Sequence, residues 1–156
     1  MKLNWSEKLL LLAVILSVIH HLDHVLRVDH SGWPFLPRVT PFTFSLMAYP
    51  IFISLFLAHS KPWFRVMGTA LLFLFATLAH VFFEPFRDKF HTWTYGSNLP
   101  GHIGEQNLLG IQSPILGVVS IGLALLLSLS LFGALLSFFR DARKPVLPPA
   151  PKKEKS

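Results

Sequence analysis

His20, Asp23, His24 and Arg27 stand at positions i, i+3, i+4 and i+7, a spacing that places them on one face of an α-helix within about 100° of arc. Two imidazoles, a carboxylate and a guanidinium share that face, with His21 at its edge. His80, Glu84 and Arg87 repeat the spacing at i, i+4 and i+7, with Thr77 one turn earlier. Imidazole nitrogen and carboxylate oxygen suit a divalent transition metal such as zinc, iron or copper, and an i, i+4 pair lets one helix offer two ligands. The expected ligands are His20, His24, His80 and Glu84. His21, Asp23, Arg27, Asp29, His30 and Arg87 are the expected supports that fix imidazole tautomers and balance charge.

The elements that must carry these residues are apolar. The 156-residue chain is 52% hydrophobic and 14% charged, with a mean hydropathy of +0.52, whereas soluble domains carry roughly 25% charge. The pattern predicts an all-α integral membrane four-helix bundle over residues 1–140, with helices at about 5–26, 40–58, 64–83 and 113–139. Ser6 is the expected N-cap of the first helix and Ser113, followed by Pro114, that of the last. Pro50 should kink the second helix and free a carbonyl near Leu46. Gly68, Ala70, Ala76 and Ala79 on the third helix, and Gly117, Ser120, Ala124 and Ser128 on the fourth, permit close helix approach. The long connection 84–112 and the loop 28–41 complete the domain. Residues 141–156, rich in proline and lysine, are expected to be a disordered basic cytoplasmic tail.

Charge sets the expected orientation. Lys2, Lys8, Lys61, Arg65 and the six cations from Arg140 onward fall on one side, against Arg27, Arg38, Arg87 and Lys89 on the other. The positive-inside rule then puts both termini in the cytoplasm, in a plasma membrane. Clustering of cations after the last apolar run makes the net charge of +6 a topology signal, so no nucleic-acid partner is expected. The first apolar segment lacks an A-x-A-like cleavage site and is read as a span, not a removed leader. Trp5, Trp33, Trp63 and Trp93 fall at span ends or in interfacial loops.

At a rise of about 1.5 Å per residue, His20, His24 and His80 lie about 18, 24 and 22 Å above the cytoplasmic edge of a core about 30 Å thick. The first and third helices both run outward, so their polar clusters are level and can converge. The absence of cysteine excludes thiolate ligands and disulfides.

Three functions compete. A metal site near the outer leaflet could activate water against a lipophilic substrate. Histidines from facing helices could instead be axial ligands of a haem in an electron carrier. The cluster could also be a polar plug, Asp23 with Arg27 and Glu84 with Arg87 or Arg27, in a structural subunit that binds a membrane partner protein. Ser31 and Ser45 could approach the cluster, but no nucleophile-elbow motif marks either. His59, His91 and His102 read as interfacial or loop residues, while Asn107, Gln112 and Ser113 could approach the site.

The run from His20 through Asp23, His24, Arg27, Asp29 and His30 to Trp33-Pro34-Phe35, with Thr40-Pro41-Phe42-Thr43 and 107–114, resembles small multi-pass integral membrane proteins of prokaryotes. The resemblance implies a prokaryotic plasma membrane and carries no activity with it.

Overall fold

The computed structural model describes residues 3–27, 39–98 and 102–144. These residues are all helical or irregular, with no strand among them. In order they form α1 (Trp5–Arg27), α2 (Pro41–Ser45), α3 (Ala48–Leu57), α4 (Pro62–Phe82), α5 (Phe86–Tyr95) and α6 (Pro114–Ala142). Helices α1, α4 and α6, of 23, 21 and 29 residues, are long and apolar enough to cross a membrane. Asp29, His30, Ser31, Trp33 and the tail beyond residue 144 lie outside the described residues.

Helix α6 is the axis of the fold, with α1, α4 and α5 packed along it. Its buried stripe runs from Gly117 through Ser120, Ala124, Leu127, Leu131 and Ala134 to Phe138, steps of three and four that keep one face toward its neighbours. Leu10 and Ala13 of α1, Val66 and Leu72 of α4, and Phe52 and Leu55 of α3 complete the core. Small residues set the closest approaches. A Cβ on Gly117 would stand 3.1 Å from the Cα of Phe90, so this glycine lets α5 lie directly on α6. Apolar side chains elsewhere, such as Ile15, Val18, Leu71, Leu78, Leu126 and Leu129, point outward, as lipid contact requires.

Three expectations are corrected. The N-cap of α1 is Asn4: its Oδ1 accepts from the Glu7 N–H at 2.9 Å while Glu7 Oε2 accepts from the Asn4 N–H at 3.0 Å, a reciprocal cap. Ser6 is turned inward, 2.7 Å from Ser137 and 2.5 Å from Asp141. The expected second helix is two helices, α2 and α3, broken at Leu46–Met47. Pro50 has no N–H to offer the Leu46 carbonyl, and the Tyr49 N–H donates to it instead at 3.1 Å. The connection after Glu84 contains a helix, α5, that begins one residue after Pro85. Ser113 caps α6 as expected, accepting from the Leu116 N–H at 3.3 Å.

Candidate metal centre

The polar face of α1 meets the end of α4. His20 is buried on α1, and His80 is buried on the last turn of α4. Glu84 follows directly, because Pro85 stops α4 and turns the chain into α5. The first turn of α5 then folds Lys89 back over the carboxylate.

His20, His24 and Glu84 each offer a ligand atom, and these atoms all lie within 4.8 Å of one another, so the group could hold a metal ion. Nε2 of His24 is 3.1 Å from Nε2 of His20 and 3.2 Å from Oε2 of Glu84. A tetrahedral zinc with ligand bonds of about 2.0–2.1 Å has ligand–ligand edges of about 3.3 Å. The same two distances would otherwise be hydrogen bonds, and a neutral imidazole has one N–H to supply. As a neutral imidazole, His24 can either accept from His20 or donate to Glu84 through Nε2, so only one of the two contacts can be a hydrogen bond.

His80 stands beside this group. Its ring meets that of His20 edge-on with centroids 4.8 Å apart, and its Nδ1 is 3.9 Å from Glu84 Oε2. Among the described residues, both ring nitrogens of His80, Nδ1 of His20 and the Thr77 hydroxyl are buried without a hydrogen-bond partner, and a buried unsatisfied group costs about 1–3 kcal/mol. The edge-on contact of the His20 and His80 rings leaves no slot between them for a porphyrin, so the haem alternative gains nothing from these distances.

The supports differ from the expected set. Asp23 is a junction of three helices: its carboxylate accepts from Arg27 Nε at 2.8 Å, Trp93 Nε1 at 2.9 Å and Ser120 Oγ at 2.6 Å. Arg27 also reaches Oε1 of Glu84, and Lys89 Nζ donates to Oε2. Arg87 is exposed, and its expected place on Glu84 is taken by Lys89, whose side chain is fully buried. Burial pushes the Lys89 ammonium below its usual range, while the Glu84 charge opposes that shift. Lys89 is missed by i, i+4 spacing because Pro85 restarts the helix between the two residues. Trp93, expected in an interfacial belt, is 3% exposed and belongs to the polar junction. His21 faces away from the trio toward α2 and α3, where Nε2 is 2.7 Å from Ser45 Oγ and Nδ1 is 2.7 Å from Tyr49 Oη.

The group closes one side of a cavity of about 390 Å³. Phe42, Phe44, Phe52, Leu72, Phe75 and Phe83 form much of its wall, with the histidines and Glu84 as its polar end.

The remaining candidates resolve locally. Asn107 accepts from the Leu109 N–H and donates to the Ile111 carbonyl, shaping its own loop, and Gln112 is exposed. His91 packs on Tyr95, and His102 pairs with Glu105 at the surface. At the opposite end of α1, Glu7 accepts from buried Arg65 at 3.0 Å and lies 2.9 Å from His59 Nδ1. Spacing alone gave no sign of that long-range pair.

No family model, curated protein or solved structure matches this chain.

Proposed function

We propose that the chain is a plasma-membrane four-helix metalloprotein with both termini cytoplasmic, α2–α3 serving as a broken fourth transmembrane element. His20, His24 and Glu84 bind one divalent transition ion, His80 completes the coordination, and the ion serves a lipophilic substrate in the adjoining cavity. The observation that carries this reading is the His24 Nε2 apex, 3.1 and 3.2 Å from the His20 and Glu84 ligand atoms. These two spacings are close to the edges of a tetrahedral site, and a neutral imidazole nitrogen can satisfy only one of them as a hydrogen bond. The His80 nitrogens, buried and without a hydrogen-bond partner among the described residues, support the fourth position. A cavity of about 390 Å³ falls within the range of small-molecule sites, roughly 300–1,000 Å³.

A second reading has its own observation: two carboxylates, Asp23 and Glu84, face two cations, Arg27 and Lys89, so charge balances without an ion. On that reading the group is a polar lock between α1, α4 and α5, in a non-catalytic subunit.

Loading purified protein with Co²⁺ separates the two. The metal reading predicts ligand-field bands of four-coordinate cobalt that vanish in His20→Ala and His24→Ala and change shape in His80→Ala. A folded wild-type protein that gives only the spectrum of aqueous cobalt contradicts it and leaves the lock.

A further inference from the structure

The cavity wall carries a second polar arrangement that the ion does not use. Ser45 closes α2, a five-residue helix begun by the reciprocal Thr40–Thr43 cap and Pro41. The break at Leu46–Met47 follows at once, and α3 brings Tyr49 back within reach. As a result the His21 imidazole bridges two hydroxyls, with Nε2 2.7 Å from Ser45 Oγ and Nδ1 2.7 Å from Tyr49 Oη. His21 and Ser45 both line the cavity. The Phe42 ring packs edge-on against the imidazole with centroids 5.4 Å apart, fixing its plane.

A hydroxyl within hydrogen-bond reach of an imidazole, itself oriented by a third group at its other nitrogen, is the arrangement that makes serine nucleophilic. We propose that Ser45 and His21 form a nucleophile–base pair that cleaves esters of lipophilic acyl chains held in the cavity, with Tyr49 as a positioning residue. Ser45 Oγ bonds to the ester carbonyl carbon as its proton moves to His21 Nε2. The bond from that carbon to the alcohol oxygen breaks, and the proton passes from Nε2 to the departing oxygen. Water then gives a proton to Nε2 while its oxygen bonds to the acyl carbon, and Ser45 Oγ leaves carrying that proton. The sum is ester plus water to carboxylic acid plus alcohol, with no change in oxidation state.

In the resting arrangement Ser45 Oγ also lies 2.6 Å from the Phe42 carbonyl, so its proton has two acceptors. The pair uses the tautomer in which His21 Nδ1–H donates to Tyr49 Oη and Nε2 accepts from Ser45 Oγ. The imidazoles of His20 and His24 lie 6.2 and 6.4 Å from that of His21, centroid to centroid. The pair therefore needs no ion and stands or falls apart from the metal reading.

The test is covalent labelling of the full chain by an alkyl fluorophosphonate, read by peptide mass spectrometry with and without chelator. Expected is an adduct on Ser45 at the same rate in both conditions. Ser45→Ala should remove it, and His21→Gln should slow it at least about 100-fold, the smaller end of what a general base contributes. Tyr49→Phe should lower the maximal labelling rate without changing the probe concentration that gives half of it, while sparing the adduct. Folded wild type with Ser45 unmodified, His21→Gln labelled at the wild-type rate, or labelling abolished by chelator would each overturn the pair.

Discussion

The indole N–H of Trp93 donates to Oδ1 of Asp23 at 2.9 Å, across 70 residues of sequence. This bond ties α5 to α1, and Ser120 ties α6 to the same carboxylate at 2.6 Å. The His20 and His24 face of α1 is thereby held at a fixed rotation relative to the elements that position Glu84 and Lys89.

Trp93→Phe keeps the ring and removes the donor, so it should cost about 1.5–3 kcal/mol, the range for a hydrogen bond to a charged group. Asp23→Ala should cost more, about 3–5 kcal/mol, because Arg27 is fully buried and loses one of its two carboxylates. Unfolding in mixed micelles by increasing SDS measures both. Equal midpoints for Asp23→Ala and wild type would show that the junction does not hold the bundle.

The far end of α1 offers a cleaner case of the same physics. Glu7 and Arg65 are 3% and 6% exposed and bonded at 3.0 Å. Glu7→Leu leaves the guanidinium buried without its counter-charge and should cost about 3–5 kcal/mol. Glu7→Leu/Arg65→Met replaces both partners by apolar groups and should recover most of that loss. A double variant no more stable than Glu7→Leu in the same SDS titration would contradict a pairwise role.

The orientation read from the cations is tested in a chain that has no native cysteine. Glu105 and Lys144 have side chains about 60% and 67% exposed, so cysteine at either position is open to a membrane-impermeant maleimide. Glu105→Cys should label in intact cells, and Lys144→Cys only after lysis. The reverse pattern would invert the topology.

How far the sequence reaches is visible in particular residues. Helices α1, α4 and α6 were legible to within three residues at each end, because long apolar runs and the Ser113-Pro114 start are local signals. His20, His24 and Glu84 were legible as a group because i, i+4 spacing fixes a face and the helix rise fixes a depth. Lys89 and Trp93 were not. Their roles depend on α5 doubling back after Pro85, and a polar stretch such as 86–95, amid interfacial aromatics, reads as a loop when its packing partner Gly117 is unknown. Glu7 with Arg65 was hidden for a different reason. Both sit at membrane-edge positions where charge is normal, and only the tertiary fold decides that they turn inward.

The central claim is that His20, His24 and Glu84 hold an ion. Elemental analysis of protein purified from cells without added chelator tests it most directly, on wild type and on His20→Ala/His80→Ala in parallel. The account predicts close to one zinc, iron or copper ion per wild-type chain and a loss of at least about 10-fold in the double variant, given matched folding by SDS titration. A folded wild-type protein with no stoichiometric transition metal, or a double variant that retains it in full, would contradict the account.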